Sequence, residues 1–254
     1  MAKLNLKSQF YQVFNSLNSL KGHAFITAKF FLNELKKSQF VTIKGIKIPI
    51  IEDLPENTLK ALYGGYYERF ELKVIGQTLE ASDRVLELGT GLGLISSFCA
   101  KKIGNDRVFT YEANPGLEPI IRQTYALNHV SPHLKLCILG KEIGEQTFYV
   151  SESLWDSSLL EYSPDLQAVQ VPVKCFNEEV KIVDPSFLVL DIEGGEYEFF
   201  QYANLHNIRK ISMELHEDLI GEEKAEFVRS HLTLSGFTLN LDFSYRDREL
   251  FWER

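Results

Sequence analysis

The run Val85-Leu86-Glu87-Leu88-Gly89-Thr90-Gly91-Leu92-Gly93 constrains this chain more than any other segment, because an apolar stretch runs straight into three alternating glycines. It reads as a strand turning into a helix. Glycines reach the backbone conformations of a tight turn and let main chain approach a ligand with no Cβ between them. The helix beyond them presents N–H groups that have no intrahelical partner. The dinucleotide fingerprint is G-x-G-x-x-G, whereas here the third glycine comes one residue early and Leu94 stands in the fingerprint's glycine position. Charge discriminates better than spacing. Glu87 lies two residues before the first glycine, where a carboxylate repels a pyrophosphate and attracts an ammonium group.

The next segment points the same way. Val108-Phe109-Thr110-Tyr111 is a β-rich run ending in Glu112, followed by Ala113-Asn114-Pro115. An acidic residue at that strand end, about twenty residues past the glycines, suits the two hydroxyls of a ribose. NAD and S-adenosylmethionine both carry that ribose. S-adenosylmethionine has no phosphate and bears an ammonium and a sulfonium, so it matches the acidic turn better.

Composition sets the outer bounds. A chain of 254 residues with 44% hydrophobic content can bury one large core, with or without a small appendage. No apolar run approaches the ~18 to 20 residues of a membrane span, and the N-terminus shows no signal pattern, so a cytoplasmic protein is expected. Cys99, Cys137 and Cys175 are widely spaced in apolar contexts, which suits buried structural thiols rather than a zinc or redox motif. The net charge of −8 argues against nucleic acid as a partner. Residues 1–47 carry eight lysines against Glu34 alone, a basic arm for its own acidic domain or for an anionic or carrier-bound acceptor.

Periodicity gives the organisation. Phe10, Phe14, Leu17 and Leu20 share a helical face, residues 24–35 continue as an aromatic-rich helix, and residues 41–51 alternate around Lys44-Gly45 as a hairpin. From Arg84 onward, strands are expected near 84–88, 107–112, 134–139, 186–191, 209–215, 237–243 and 248–253, and helices near 92–103, 116–128, 196–204 and 222–235. Residues 140–183 read as a short hairpin and loops. The expectation is an α/β, doubly wound sheet ending in an antiparallel hairpin, residues 60–254, preceded by a helical and hairpin cap, residues 1–59, that shapes the acceptor side and mediates dimerisation.

Ligands of such sheets bind at the carboxyl ends of the strands. The fourth strand ends in Asp191-Ile192-Glu193-Gly194-Gly195-Glu196 and the fifth in Glu214-Leu215-His216-Glu217, so carboxylates and a histidine converge there. His216 is the neutral-pH base by its chemistry. Glu193 and Glu214 are bases as well, or ligands of Mg²⁺ together with Asp191 through hard oxygens. Acidic residues at strand ends also cap helices, and no metal site is assigned.

The ordered set of the glycine turn, Tyr111-Glu112-Ala113-Asn114-Pro115, Asp156-Ser157-Ser158-Leu159, Leu190-Asp191-Ile192-Glu193-Gly194-Gly195-Glu196 and Met213-Glu214-Leu215-His216 resembles the FkbM family of S-adenosylmethionine-dependent methyltransferases. Tyr66-Tyr67-Glu68 is similar to that family's approach to the cofactor domain. The resemblance spans about residues 60–254, with the Asp-x-Glu-Gly-x-Glu segment its most specific part. One motif departs: the family's first motif reads Asp-x-Gly-Ala-Asn-x-Gly, and this chain has the general methyltransferase form instead.

The resemblance implies a class I, Rossmann-like methyltransferase that methylates a hydroxyl of a sugar or natural product. It places Glu87, Gly89, Thr90, Gly91 and Gly93 at the methionine end of the cofactor, Glu112 with Ala113 at the ribose, and Asn114 and Gly140 beside the adenine. Tyr67 and Glu68 close over the cofactor, Ser158 belongs to a cofactor-side loop, and Asp191 positions the methyl donor or acceptor. Amino-group methyltransferases of bases or glutamine carry Pro-Pro-aromatic where this chain has Ile192-Glu193-Gly194, so an oxygen nucleophile is preferred. An NAD-dependent oxidoreductase and a non-catalytic methyltransferase-like scaffold are the alternatives.

Overall fold

The computed structural model describes residues 39–51, 54–150, 167–245 and 248–254. The two N-terminal helices expected before residue 36 lie outside the described residues, as does Ser158. The described chain opens on a hairpin, β1 (Phe40–Ile43) and β2 (Ile46–Pro49), closed by Lys44 and Gly45 at φ 48° and 83°. Two positive φ values in a two-residue loop give the twist that matches paired strands.

Helices α1 (Glu56–Gly64) and α2 (Arg69–Thr78) follow. Then come β3 (Val85–Leu88), α3 (Leu94–Ile103), β4 (Val108–Glu112), α4 (Glu118–Asn128) and β5 (His133–Leu136). A small separate sheet in the order β6-β8-β7 is built from β6 (Ile138–Gly140), β7 (Gly144–Val150) and β8 (Gln167–Cys175). The rest is α5 (Phe176–Val183), β9 (Phe187–Leu190), α6 (Glu196–Phe200), β10 (Lys210–Glu214), α7 (Glu217–Ile220), α8 (Glu222–Leu234), β11 (Thr238–Leu239) and β12 (Glu249–Glu253).

The seven-stranded main sheet runs β11-β12-β10-β9-β3-β4-β5. Strand β12 is antiparallel to both its neighbours, and the other pairings are parallel. This is the doubly wound sheet with its antiparallel end. Its inner strands are apolar on both faces, as two helical layers require. Alternation assigns the faces. Leu86, Leu88, Leu188, Leu190, Ile211 and Met213 pack with α5, α6 and α8, while Val85, Val108, Phe187, Val189 and Phe251 pack with α1 to α4 and the hairpin. Hairpin residues Ile43, Ile46 and Ile48 are buried in the second cluster, so this part of the 1–59 segment lies against the sheet's helical layer.

Several elements differ from the sequence reading. Residues 134–139 do not form one strand: β5 leaves the main sheet at Cys137 and β6 pairs with β8 in the small one. Within 140–183, the last eight residues are helix α5, whose Phe176, Val180 and Val183 recur at helical spacing and are buried. The strand expected at 237–243 stops at Leu239, because Asn240 starts a turn whose side chain accepts the Asp242 N–H and whose carbonyl accepts the Phe243 N–H. The helix expected at 196–204 ends at Phe200. Cys99 and Cys137 are buried, and Cys175 is only half-buried, its thiol donating to the Lys141 carbonyl. Among the described residues, no helix is long and apolar enough to cross a membrane.

The strand order reverses direction between β3 and β9. The chain leaves β3 toward β4 and leaves β9 toward β10, so a crevice opens above the carboxyl ends of these two strands.

Candidate active site

The turn after β3 is built for close approach. Asp191 N–H donates to the Leu88 carbonyl at 2.9 Å, stitching the segment after β9 across the end of β3. A Cβ on Gly89 (φ 88°) would lie 1.9 Å from the Asp191 carbonyl oxygen, so no larger residue fits there. A Cβ on Gly91 would lie 2.8 Å from Tyr67 Oη and 3.1 Å from a Glu68 carboxylate oxygen. Tyr67 therefore sits on the turn, accepting the Leu92 N–H at 3.3 Å. Gly93, also left-handed, caps α3. Thr90 is buried below the turn, its hydroxyl against that of Thr110.

Glu112 ties this turn to the end of β4. Its Oε2 accepts the Thr90 and Gly91 N–H groups at 2.9 and 3.1 Å, and its Oε1 accepts the Asn114 N–H at 2.8 Å. Burial raises its pKa, against the pull of those amides. Asn114 Oδ1 in turn accepts the Gly116 N–H at 2.9 Å and caps the short turn leading to α4.

Glu87 takes a different place from the one its charge suggests. It has the face parity of Val85, opposite Thr110 on β4, and lies fully buried beneath the turn rather than on the crevice. Burial pushes its pKa up to about 8, opposed by the hydroxyls of Thr110 and Ser96.

Above the turn lies a cavity of about 890 Å³, within the usual range for a small-molecule site. Gly89, Gly91, Tyr67, Glu68, Glu112, Ala113, Asn114, Gly140, Asp191, Glu193 and Glu214 line it, whereas Glu87, Thr90, Gly93 and His216 stand behind its wall. Eight carboxylates line it among the described residues, against two cations, Arg69 and Lys141. Burial drives the pKa of Glu68 well up, with Glu71 and Glu87 adding to it, and drives that of Asp191 up likewise, with Glu193 and Glu214 adding. Glu68 and Glu193 also hold left-handed backbone, at φ 45° and 47°. Each raised pKa marks the cost of holding negative charge here, a cost that a cationic occupant lowers.

At the ends of β9 and β10 the expected convergence is present. His216 is 1% exposed. Its Nδ1 lies 2.8 Å from Glu196 Oε1, and its Nε2 lies 3.2 Å from Glu193, 3.8 Å from Asp191 and 3.8 Å from Glu214. Burial alone would lower the imidazole pKa, but Glu193, Glu196 and Asp191 more than reverse this and hold it up at about 11. At that value the ring keeps its second proton at neutral pH unless a cation takes that proton's place, whereas its chemistry alone suggested a free base. Glu214 is held by Arg248.

Four acidic residues of this site, Glu71, Glu196, Glu198 and Glu249, had no role in the sequence reading. Glu196, 0% exposed, anchors the histidine and accepts the Gly194 N–H. Glu71 on α2 faces the cavity with its pKa raised to about 7, chiefly by burial. Helical spacing from Glu68 would have found it had α2 been recognised. Glu249 sits directly opposite Glu214 across the antiparallel β10–β12 pair. Like charges placed directly opposite destabilise a sheet, and only the long-range register reveals them.

Residues 88–245 match the methyltransferase FkbM domain model. No match is found among curated proteins. Solved structures resembling the chain include the ribosomal protein L11 methylase from Lactobacillus delbrueckii subsp. bulgaricus, at 13% identity and TM-score 0.46 over 75% of this chain and 79% of that one. Precorrin-6y C5,15-methyltransferase from Geobacter metallireducens GS-15 shows 11% identity and TM-score 0.47 over 82% and 94% of the two chains. The Pyrococcus abyssi tRNA (uracil-54, C5)-methyltransferase in complex with S-adenosyl-L-homocysteine shows 11% and 0.47 over 85% and 43%. At such distances the strand order and the family match carry the assignment. With the acidic crevice at the strand-order reversal and the match over 88–245, the chain belongs to the FkbM methyltransferase domain family.

Proposed function

We propose that this chain is an S-adenosylmethionine-dependent O-methyltransferase acting on a hydroxyl of a small sugar-like or natural-product acceptor. The observation that carries the reading is the charge of the cavity, eight carboxylates against two cations around a glycine turn that permits close approach. A dinucleotide would bring its pyrophosphate into that field, whereas a cofactor with ammonium and sulfonium groups relieves it. Glu112 is set to accept the ribose hydroxyls, because its carboxylate oxygens keep lone-pair capacity beyond the backbone N–H groups they already accept. Glu68 and Tyr67 would cover the methionine end, and Asn114 and Gly140 the base.

Bound there, the cofactor supplies an already activated methyl group, so the protein's work is alignment and removal of one proton. The carboxylates of Asp191, Glu193 and Glu214 open on the cavity beside one another. Together they orient the acceptor hydroxyl and supply the base that takes its proton. The same carboxylates favour a neutral or amine-bearing acceptor over an anionic or carrier-bound one.

Incubation of the purified full chain with methyl-labelled cofactor and a panel of neutral sugars, amino sugars, nucleotide sugars and simple amines tests this. Label is expected on oxygen, in neutral or amine-bearing acceptors. Label confined to nitrogen, or to phosphorylated acceptors, would contradict the reading.

A further inference from the structure

The cluster behind the cavity wall has an unmet requirement. His216 Nε2 is buried and makes no hydrogen bond, and one oxygen of Asp191 beside it is buried without a partner as well. A fully buried polar atom without a partner is costly, so its orientation calls for a ligand. Nε2 faces the space between Asp191 and Glu193, whose side chains are 42% and 46% exposed on the cavity side.

One donor atom from each of Asp191, Glu193 and His216 lies within 4.8 Å of the others. Around an ion with ligand bonds of about 2.1 Å, neighbouring donors are about 3.0 Å apart in an octahedron and about 3.4 Å in a tetrahedron. The separations from Nε2, 3.2 Å to Glu193 and 3.8 Å to Asp191, lie within a few tenths of an ångström of such spacings, and the two carboxylates lie within 4.8 Å of each other.

We propose that Asp191, Glu193 and His216 form a divalent-cation site that holds and polarises the acceptor's hydroxyl oxygen. It rests on the methyltransferase reading for its role, though not for its existence. Two carboxylates balance a doubly charged ion, which takes the place of the Nε2 proton that they hold on the ring in its absence. One imidazole nitrogen among oxygens selects a first-row ion such as Mn²⁺ over Mg²⁺, which prefers an all-oxygen shell. Glu196 fixes the ring through Nδ1, as outer-shell carboxylates do for metal-binding histidines. Glu214, engaged by Arg248, stays outside the ligand set and remains beside the ion to receive the hydroxyl proton. The cavity side of the three ligands leaves coordination positions open toward the acceptor.

The test uses Mn²⁺ itself as the probe. The full chain, stripped with chelator and dialysed, is titrated with Mn²⁺ while free ion is followed by electron paramagnetic resonance, and S-adenosylhomocysteine binding is measured in parallel by calorimetry. One ion per chain is expected. Glu193→Gln and His216→Gln should each weaken Mn²⁺ binding at least tenfold, and Glu196→Gln by about 10- to 100-fold. If His216→Gln does not fold, the half-exposed Glu193 decides the matter, with circular dichroism confirming the fold of that variant. Absence of stoichiometric Mn²⁺ binding up to millimolar concentration, or binding unchanged in Glu193→Gln, overturns the proposal. Mn²⁺ bound without S-adenosylhomocysteine supports the ion site while refuting the cofactor assignment, and the reverse result keeps the cofactor and removes the ion.

Discussion

Glu112→Gln separates the structural duty of this carboxylate from its proposed duty toward the cofactor. Glutamine keeps the shape and one carbonyl oxygen. Placed where Oε2 now lies, that oxygen still accepts the Thr90 and Gly91 N–H groups, but the amide NH₂ then faces the Asn114 N–H donor to donor. One buried N–H loses its partner, at a cost of ~1 to 3 kcal/mol. For a chain of this size, that corresponds to a fall in Tm of roughly 2 to 12 °C. The ribose would lose one charge-assisted hydrogen bond, weakening S-adenosylhomocysteine by ~1 to 3 kcal/mol, roughly 5- to 150-fold. Glu112→Ala strands all three N–H groups and should melt lower still. Scanning calorimetry and ligand titration on wild type and both variants measure these effects. A glutamine variant that melts within a degree of wild type and binds S-adenosylhomocysteine equally well would show that Glu112 serves neither the turn nor the cofactor.

Other consequences follow from the same geometry. Gly89→Ala drives a Cβ to 1.9 Å from the Asp191 carbonyl oxygen, so thermal melting should show a loss above ~4 kcal/mol or an insoluble protein; near-native stability contradicts the crossing of the two strands' ends. Glu87 holds a proton in the native state up to about pH 8 but in the unfolded chain only to its ordinary value of 4.5. Its contribution to stability is thus full below pH 4.5 and is lost as pH rises toward 8, by up to a few kcal/mol. Glu87→Gln should flatten the decline of Tm between pH 5 and 8, and an unchanged slope would show that the carboxylate is not buried in this way. Asp191→Asn should lower kcat far more than cofactor affinity; equal losses would make Asp191 a cofactor-binding residue alone.

The glycine turn and the ends of β4, β9 and β10 were legible because they depend on local pattern: an apolar strand, then glycine or acid, at the place where open α/β sheets bind ligands. The role of Glu87 was not. Its charge pointed to a ligand, but strand parity turns it beneath α3, and parity matters only once the layer above the strand is known. The titration of His216 was equally hidden, because Glu193, Glu196 and Asp191 surround it through contacts that unite two strand ends and a helix start. Helix α5 carried a readable signal in Phe176, Val180 and Val183, but in eight residues with three β-branched side chains that periodicity spans barely two turns. Glu249 could be placed beside Glu214 only through the β10–β12 register.

In the proposed enzyme, the acidic crevice over Gly89, Gly91 and Glu112 receives a phosphate-free, cationic nucleoside cofactor. Calorimetric titration of the purified full chain with S-adenosylhomocysteine and, separately, with NAD⁺ tests it most directly. One saturable site per chain is expected for S-adenosylhomocysteine, with no heat from NAD⁺. Saturable NAD⁺ binding with no response to S-adenosylhomocysteine would contradict it.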